Sequence, residues 1–494
     1  MINIIDWILV LFRHEDAARA FVAAPEQTMR WLRRALEAEE GLTPDPGRRA
    51  ELLVQLGEAA FWADDMLGVA EDLLEASALA GVADRPDLQA WAAYWYLGPS
   101  AAFVNLSDVN GRVLLEEALA GLDACSPDQF VKERVWVLGK LAYTHLFDTD
   151  PTEKLALTAA AVELSEGLPD PVDRWVARAW RVVTLFGLGH HAEWEALVEW
   201  TAELAEDLPV TIKRDTITWQ ALVRFERGDV AGGLEHVTRY VALFEPLGLA
   251  LPALVFGVPA VVATWEGRFD DADPLFDAWL DASNLPDLSR SGVLAGQAWP
   301  YLWTLDAPRY RAALDSFPAS SATLLAVYPL TAIVALIDED EAEARRCYEE
   351  WLPLLDFAPA GFAAHIAASA TYPTWRLDQA DVARRNLEAL GPHAGRWPTV
   401  GMPIFAGPAD LFLGVNHVTV GDLDAGEASL RSALDASVAN GTHAWSTWTR
   451  MHLANALARQ GRGDEAAEHA AVARADAERL GMHLITQDLD RLGL

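Results

Sequence analysis

A chain of 494 residues, 52% of them hydrophobic and 22% charged, carries ample apolar material for an ordered globular protein, which excludes disorder as a class. The balance of 38 basic against 73 acidic residues gives a formal charge of −35; this repels phosphates and anionic lipid and argues against direct nucleic-acid binding. Two cysteines, Cys125 and Cys347, are too few for a disulfide framework or a thiolate zinc site and suit a reducing cytoplasm, the expected location.

The chain opens on a nearly continuous apolar run, Ile2, Ile4, Ile5, Trp7, Ile8, Val10, Leu11 and Phe12, with no basic residue before it, so no secretory signal is expected. Residues 1–24 read as an apolar N-terminal helix that either caps the adjoining hairpins or docks elsewhere, and residues 25–494 as one repeat array. Leu11-Phe12-Arg13 followed by Ala17-Ala18-Arg19-Ala20-Phe21-Val22 resembles the amino-terminal segment of actinobacterial isoniazid-inducible proteins.

Beyond this segment a turn signal recurs: Arg-Gly-Asp-Val-Ala at 227–231, Arg-Phe-Asp-Asp-Ala at 268–272, Gly-Asp-Leu-Asp-Ala at 421–425 and Arg-Gly-Asp-Glu-Ala at 462–466. Related turns fall near Asp65, Asp108, Asp150, His191, Asp306, Asp340 and Asp378, a mean spacing of roughly forty residues. Gly supplies the left-handed residue that ends one helix and Asp caps the next. Between turns the apolar residues keep a helical period, as in Asp464–Leu480, and no alternating β-branched run appears. The expected fold is all-α, a tetratricopeptide-like superhelical solenoid of about eleven helical hairpins. The uncharged stretch Pro246–Trp265 is long enough to span a bilayer, but Pro246, Pro252 and Pro259 interrupt it; a buried helix, not a transmembrane segment, is expected there.

Ala24-Pro25-Glu26 leading to Trp31-Leu32-Arg33-Arg34-Ala35-Leu36, then Arg48-Arg49-Ala50-Glu51-Leu52-Leu53, is similar to the tetratricopeptide-like region of large bacterial regulators with signal-transducing NTPase modules. Gly414–Leu430, Trp445–Ala458 and Glu478-Arg479-Leu480-Gly481-Met482 resemble the last repeats of those maltose-regulator-like proteins. The resemblance implies a sensor or regulatory arm. The NTPase itself has no counterpart here, since Leu138-Gly139-Lys140-Leu141 is the nearest fragment to a phosphate-binding loop, and no basic recognition helix is evident.

Candidate chemistry reduces to structural roles at this level. Asp64-Asp65 and Asp270-Asp271-Ala272-Asp273 sit at repeat turns, where carboxylates cap helices, and the acidic run Asp338–Glu343 reads as a turn and helix start. His190-His191 lacks the spacing of a zinc-protease helix, and His365 and His417 read as core histidines. No catalytic residue, metal or cofactor is therefore expected. The twenty Trp are less easily absorbed, because Pro246–Trp265, Ser316–Ile337 and Phe357–Trp375 contain no charge and would line the concave side of the array. Either the superhelix curls until its walls pack together, or it encloses an apolar cavity. Phe256, Trp265, Trp299, Tyr301, Trp303, Tyr328, Phe362, His365, Trp375 and Phe405 are the expected ligand-binding residues. The leading expectation is a non-enzymatic protein that binds an apolar small molecule or amphipathic peptide there. The alternatives are a scaffold whose acidic outer surface holds a basic protein partner, and an α/α-barrel enzyme with two carboxylates across a cleft.

Overall fold

The computed structural model describes residues 25–39, 43–63, 67–98, 109–206, 208, 210–248, 250–282, 287–315, 321–399 and 405–494. The expected N-terminal helix, and the turns near Asp65 and Asp108, lie outside them. Among the described residues there is no strand; one isolated antiparallel bridge joins Thr399 to Phe405. The fold is an all-α helical-repeat solenoid, and its contacts divide it into two units, residues 1–146 with 151–184, and residues 147–150 with 185–494.

Unit 1 contains α1 (Pro25–Glu39), α2 (Pro46–Ala63), α3 (Ala70–Val82), α4 (Pro86–Tyr96), α5 (Val109–Asp123), α6 (Val131–Thr144), α7 (Thr152–Ser165) and α8 (Pro171–Leu185, whose last residue falls in unit 2). From α1 to α7 each helix packs on the next, and α2, α4 and α6 also touch in series, so the first helices of successive hairpins form one inner row. Val135 and Leu138 of α6, Ala161 of α7 and Ala177 of α8 meet in one core cluster.

Unit 2 contains α9 (His191–Ala205), α10 (Val210–Glu226), α11 (Val230–Phe244), α12 (Val258–Glu266), α13 (Phe269–Ala282), α14 (Asp287–Thr304), α15 (Ala307–Asp315), α16 (Ser321–Ile337), α17 (Glu341–Trp351), α18 (Ala363–Arg376), α19 (Ala380–Leu390), α20 (Ala409–Val420), α21 (Leu423–Ala439), α22 (His443–Arg459), α23 (Gly463–Leu480) and α24 (His483–Leu492). Its inner row, α14, α16, α18, α20, α22 and α24, is again made of alternate helices in contact. The row also turns back on itself: α12 touches α22, and α14 touches α24. Of the two arrangements open from sequence, this is the one in which the walls of the curl pack together. A buried amide chain helps set the register: Asn386 Nδ2 donates to Asn416 Oδ1 at 3.1 Å, and Asn416 Nδ2 donates to Thr371 Oγ1 at 2.9 Å.

The turn chemistry agrees with the sequence pattern at several hairpins. Gly228 and Gly421 are left-handed at φ +73° and +90°; the following carboxylates, Asp229 and Asp422, accept from the N–H of Gly232 at 2.9 Å and of Ala425 at 3.2 Å. Asp306 and Asp340 cap in the same way, accepting from Arg309 N at 3.1 Å and Glu343 N at 3.0 Å. There the left-handed residue is not Gly but Leu305 or Glu339, at φ 58° and 61°. Other turns depart from expectation, among them 268–272, where Asp270 and Asp271 lie inside the first turn of α13. Asp378 is itself the left-handed residue, at φ 54°, and Gln379 takes the cap position without a side-chain bond; at 461–464 the cap position falls on Arg462 and Asp464 lies inside the first turn.

The uncharged stretch Pro246–Trp265 is not one helix. A 3₁₀ turn over Glu245–Leu247 stops at left-handed Gly248, and the chain re-enters through a π turn, Ala253–Gly257, before α12. The prolines explain the division, because Pro246 and Pro259 stand at the first positions of a turn and of a helix, where their missing N–H costs nothing, and Pro252 occupies a cap. No described helix is long and apolar enough to cross a membrane.

Candidate functional site

The ten residues expected to line a ligand site all belong to unit 2, and they separate into several environments. Trp299 and Trp303 of α14 face Trp445 and Trp448 of α22: ring centroids lie 5.2 Å apart for Trp299 and Trp445, 5.7 Å for Trp299 and Trp448, and 4.9 Å for Trp303 and Trp445. Phe412 of α20 completes this cluster at 6.2 Å from Trp299. Trp265 and Phe405 form a second cluster with Trp397 and Phe225; the centroids of Trp265 and Trp397 are 5.0 Å apart, as are those of Phe225 and Phe405. Trp375 stands edge-on to the His452 ring at 4.7 Å.

The remaining residues are elsewhere. Phe362 meets Phe147 at 5.3 Å, and Tyr301 sits beside Asp273 with the Arg309 guanidinium 5.9 Å from its ring; desolvation and that carboxylate raise the phenol's pKa. Phe256 is half-buried in the π turn, and Tyr328 is placed by its backbone on α16. His365 borders a cavity with Trp299, Leu302, Tyr310, Ile333 and Ser369. Its volume of about 20 Å³ is that of a single water molecule. Burial lowers the His365 pKa to about 4, so the ring is neutral at physiological pH.

Sequence reasoning missed Trp397, Phe412, Trp445, Trp448 and His452, all buried partners of the predicted set. The signal was present in part: His443–Thr449 carries no Asp, Glu, Lys or Arg and spaces Trp445 and Trp448 by three, onto one helix face.

Unit 1 presents a second aromatic constellation that the sequence pattern did not single out. Lys132, Trp136 and Lys140 recur every four residues along α6 and share one face. The half-buried rings of Trp91 and Trp136 lie 5.2 Å apart, with the Lys132 ammonium 5.8 Å from each. Asp173 anchors this pair: its Oδ1 accepts from Trp136 Nε1 at 2.8 Å and stands 3.6 Å from Lys132 Nζ. Glu58 of α2 feels the Lys132 charge; crowding by protein atoms nonetheless holds its carboxyl above the ordinary range, although the side chain still meets solvent. Further along the face, the Lys140 ammonium is 5.0 Å from the Tyr94 ring, 5.3 Å from Trp180 and 5.9 Å from Tyr143, and donates to the carbonyl of Gly98. It is 1% exposed, and burial lowers its pKa to about 7.

Comparison with known proteins adds little beyond these geometries. The model of a family described as isoniazid-induced protein IniB matches residues 2–32. That agrees with the resemblance read at the N-terminus. No curated protein matches. The crystal structure of the APC/C hetero-tetramer Cut9-Hcn1 is similar at 12% identity over 98% of this chain and 92% of that one, with a TM-score of 0.41.

Proposed function

We propose that the chain is a non-enzymatic helical-repeat binding protein whose inner row in unit 1 takes an amphipathic peptide from a protein partner, acting as a regulatory arm in the cytoplasm. The observation that supports this most is the half-buried pair Trp91 and Trp136, with Lys132 against both rings and Asp173 holding the Lys and one indole. Aromatic faces beside a positioned cation offer an apolar residue a surface and an acidic residue a partner. In unit 2 the aromatic partners Trp303, Trp445 and Trp448 are fully buried, whereas Trp91 and Trp136 are half-buried. An apolar small molecule among Trp299, His365 and Tyr310 would have to part the walls of a water-sized cavity, so the peptide form is preferred over the small-molecule form.

The test is fluorescence polarisation with a panel of amphipathic peptides of varied charge. Binding that falls at least tenfold in both Trp91→Ala and Trp136→Ala, with helicity unchanged, supports the reading; binding that is unaffected in both removes it. A second reading, the acidic scaffold, is favoured by the use of many Arg in ion pairs, such as Arg346 with Glu343 and Glu350 and Arg462 with Glu427, which leaves the net charge of −35 unanswered. It predicts a basic partner released by salt, regardless of the two indoles.

A further inference from the structure

Two imidazoles far apart in sequence meet in unit 2. His191 opens α9, and His393 lies in the segment just after α19; their ring centroids are 5.0 Å apart with planes at 80°. The approach is fixed by backbone: Trp397 N donates to the carbonyl of Glu226 at 2.9 Å, and a Cβ on left-handed Gly189 would stand 2.6 Å from Pro392 Cβ. His393 is 2% exposed and the His191 side chain 14%.

Each ring uses one nitrogen and leaves the other bare. His191 Nδ1 is 3.3 Å from the buried carboxylate of Glu226, and His393 is hydrogen-bonded to the backbone of Gly187. His191 Nε2 and His393 Nδ1 are both shielded from solvent and have no hydrogen-bond partner. A buried polar atom left this way has lost water without gaining a partner, and here there are two, on adjacent rings set edge to face. A histidine oriented through one nitrogen by a carboxylate or a carbonyl, with the other free, is the arrangement that metal-binding imidazoles adopt.

We propose that His191 and His393 together hold one transition-metal ion of the imidazole-preferring kind, copper(I) or zinc(II), with solvent or an exogenous ligand completing its shell. With metal–nitrogen bonds of about 2.0 Å, an ion lies roughly 3.2 Å from each ring centre, so centroids 5.0 Å apart correspond to an angle of roughly 100° at the ion, close to tetrahedral. The nearby Arg396 is engaged by Glu195, and Glu226 supplies the outer negative charge. Among the described residues no three His, Cys, Asp or Glu side chains group as a metal site, so the two imidazoles are the protein ligands this place offers, and imidazole suits both ions.

The experiment uses the full chain after dialysis against a chelator, titrated by calorimetry and thermal unfolding with Zn²⁺ and, anaerobically, with Cu⁺. The expected result is one equivalent bound by at least one ion, with a raised Tm. Binding should be lost in His191→Ala and in His393→Gln and kept in His190→Ala, whose side chain is 48% exposed. Circular dichroism confirms that each variant folds, and X-ray absorption of the bound ion should report two imidazoles. Absence of stoichiometric binding by both ions, or binding that survives in both His191→Ala and His393→Gln, overturns the proposal.

Discussion

Trp445 of α22 stands edge-on to Trp303 of α14, centroids 4.9 Å apart and planes at 87°, with both side chains fully buried. The pair therefore joins two helices separated by seven others in the chain. Truncating either ring removes its burial and leaves a cavity, so Trp445→Ala and Trp303→Ala should each cost about 3–5 kcal/mol in chemical denaturation. The double variant should fall short of the sum by about 0.5–1.5 kcal/mol, the coupling of an edge-to-face pair. Full additivity would show that the rings do not rest on each other.

Glu195 provides a pH handle in unit 2. Hydrogen bonds from Arg227, joined by Arg396, outweigh desolvation and depress its pKa from 4.5 to about 2. A carboxyl depressed in the folded state contributes stability above its unfolded pKa and loses it as pH falls through the folded value. Between about pH 4.5 and 2 the wild type should lose a contribution of about 1–3 kcal/mol that Glu195→Gln lacks from the start. Denaturation midpoints against pH should show the two proteins converging as the medium becomes more acid.

Lys140 predicts a slope of the same sign in the alkaline range. Its folded pKa, lowered by burial from 10.5 to about 7, means that the unfolded chain binds the proton more tightly than the folded one across that interval. Stability should accordingly rise with pH between about 7 and 10.5 through this group. Lys140→Met, which keeps the length of the side chain and removes its charge, should be more stable than wild type at pH 6 and should lose that part of the alkaline rise. A variant that is destabilised at every pH would show that the cage of Tyr94, Tyr143 and Trp180 binds the ammonium more strongly than burial penalises it.

The apolar run Ile2–Phe12 lies outside the described residues, yet its large apolar side chains would each contribute about 1.5–3 kcal/mol if buried. We propose that it covers the first hairpins near Trp31, Leu52 and Leu56. Deleting residues 1–12 should lower Tm and produce concentration-dependent association in analytical ultracentrifugation. An equally stable monomer would assign the segment to docking elsewhere.

Much of the scaffold was legible because its signals are local. The helical period in α23, the Gly-Asp pairs at 228–229 and 421–422 and the Asp caps at 306 and 340 each act within a few residues. Left-handed Leu305 and Glu339 were not, since neither residue type signals positive φ; the hairpin imposes it. The aromatic set was only partly legible for a related reason. A charge-free stretch announces burial but not the surface it meets, so Trp299 and Trp303 could be named while their partners on α22 could not. His191 illustrates the limit most sharply. Its neighbours in sequence argued against chemistry, and the ring that faces it arrives some two hundred residues later.

In most solenoids each repeat leans only on its neighbours, so the chain can fray from an end and can be shortened a unit at a time. Unit 2 is tied differently, because α12 meets α22 and α14 meets α24, ten helices on in each case. Peeling away α23 and α24 would strip support from α14 as well as from α22. Melting of this unit should therefore be one sharp event with no partly frayed population, and trimming its last hairpin should abolish the fold of the whole unit, not subtract a fraction of its stability.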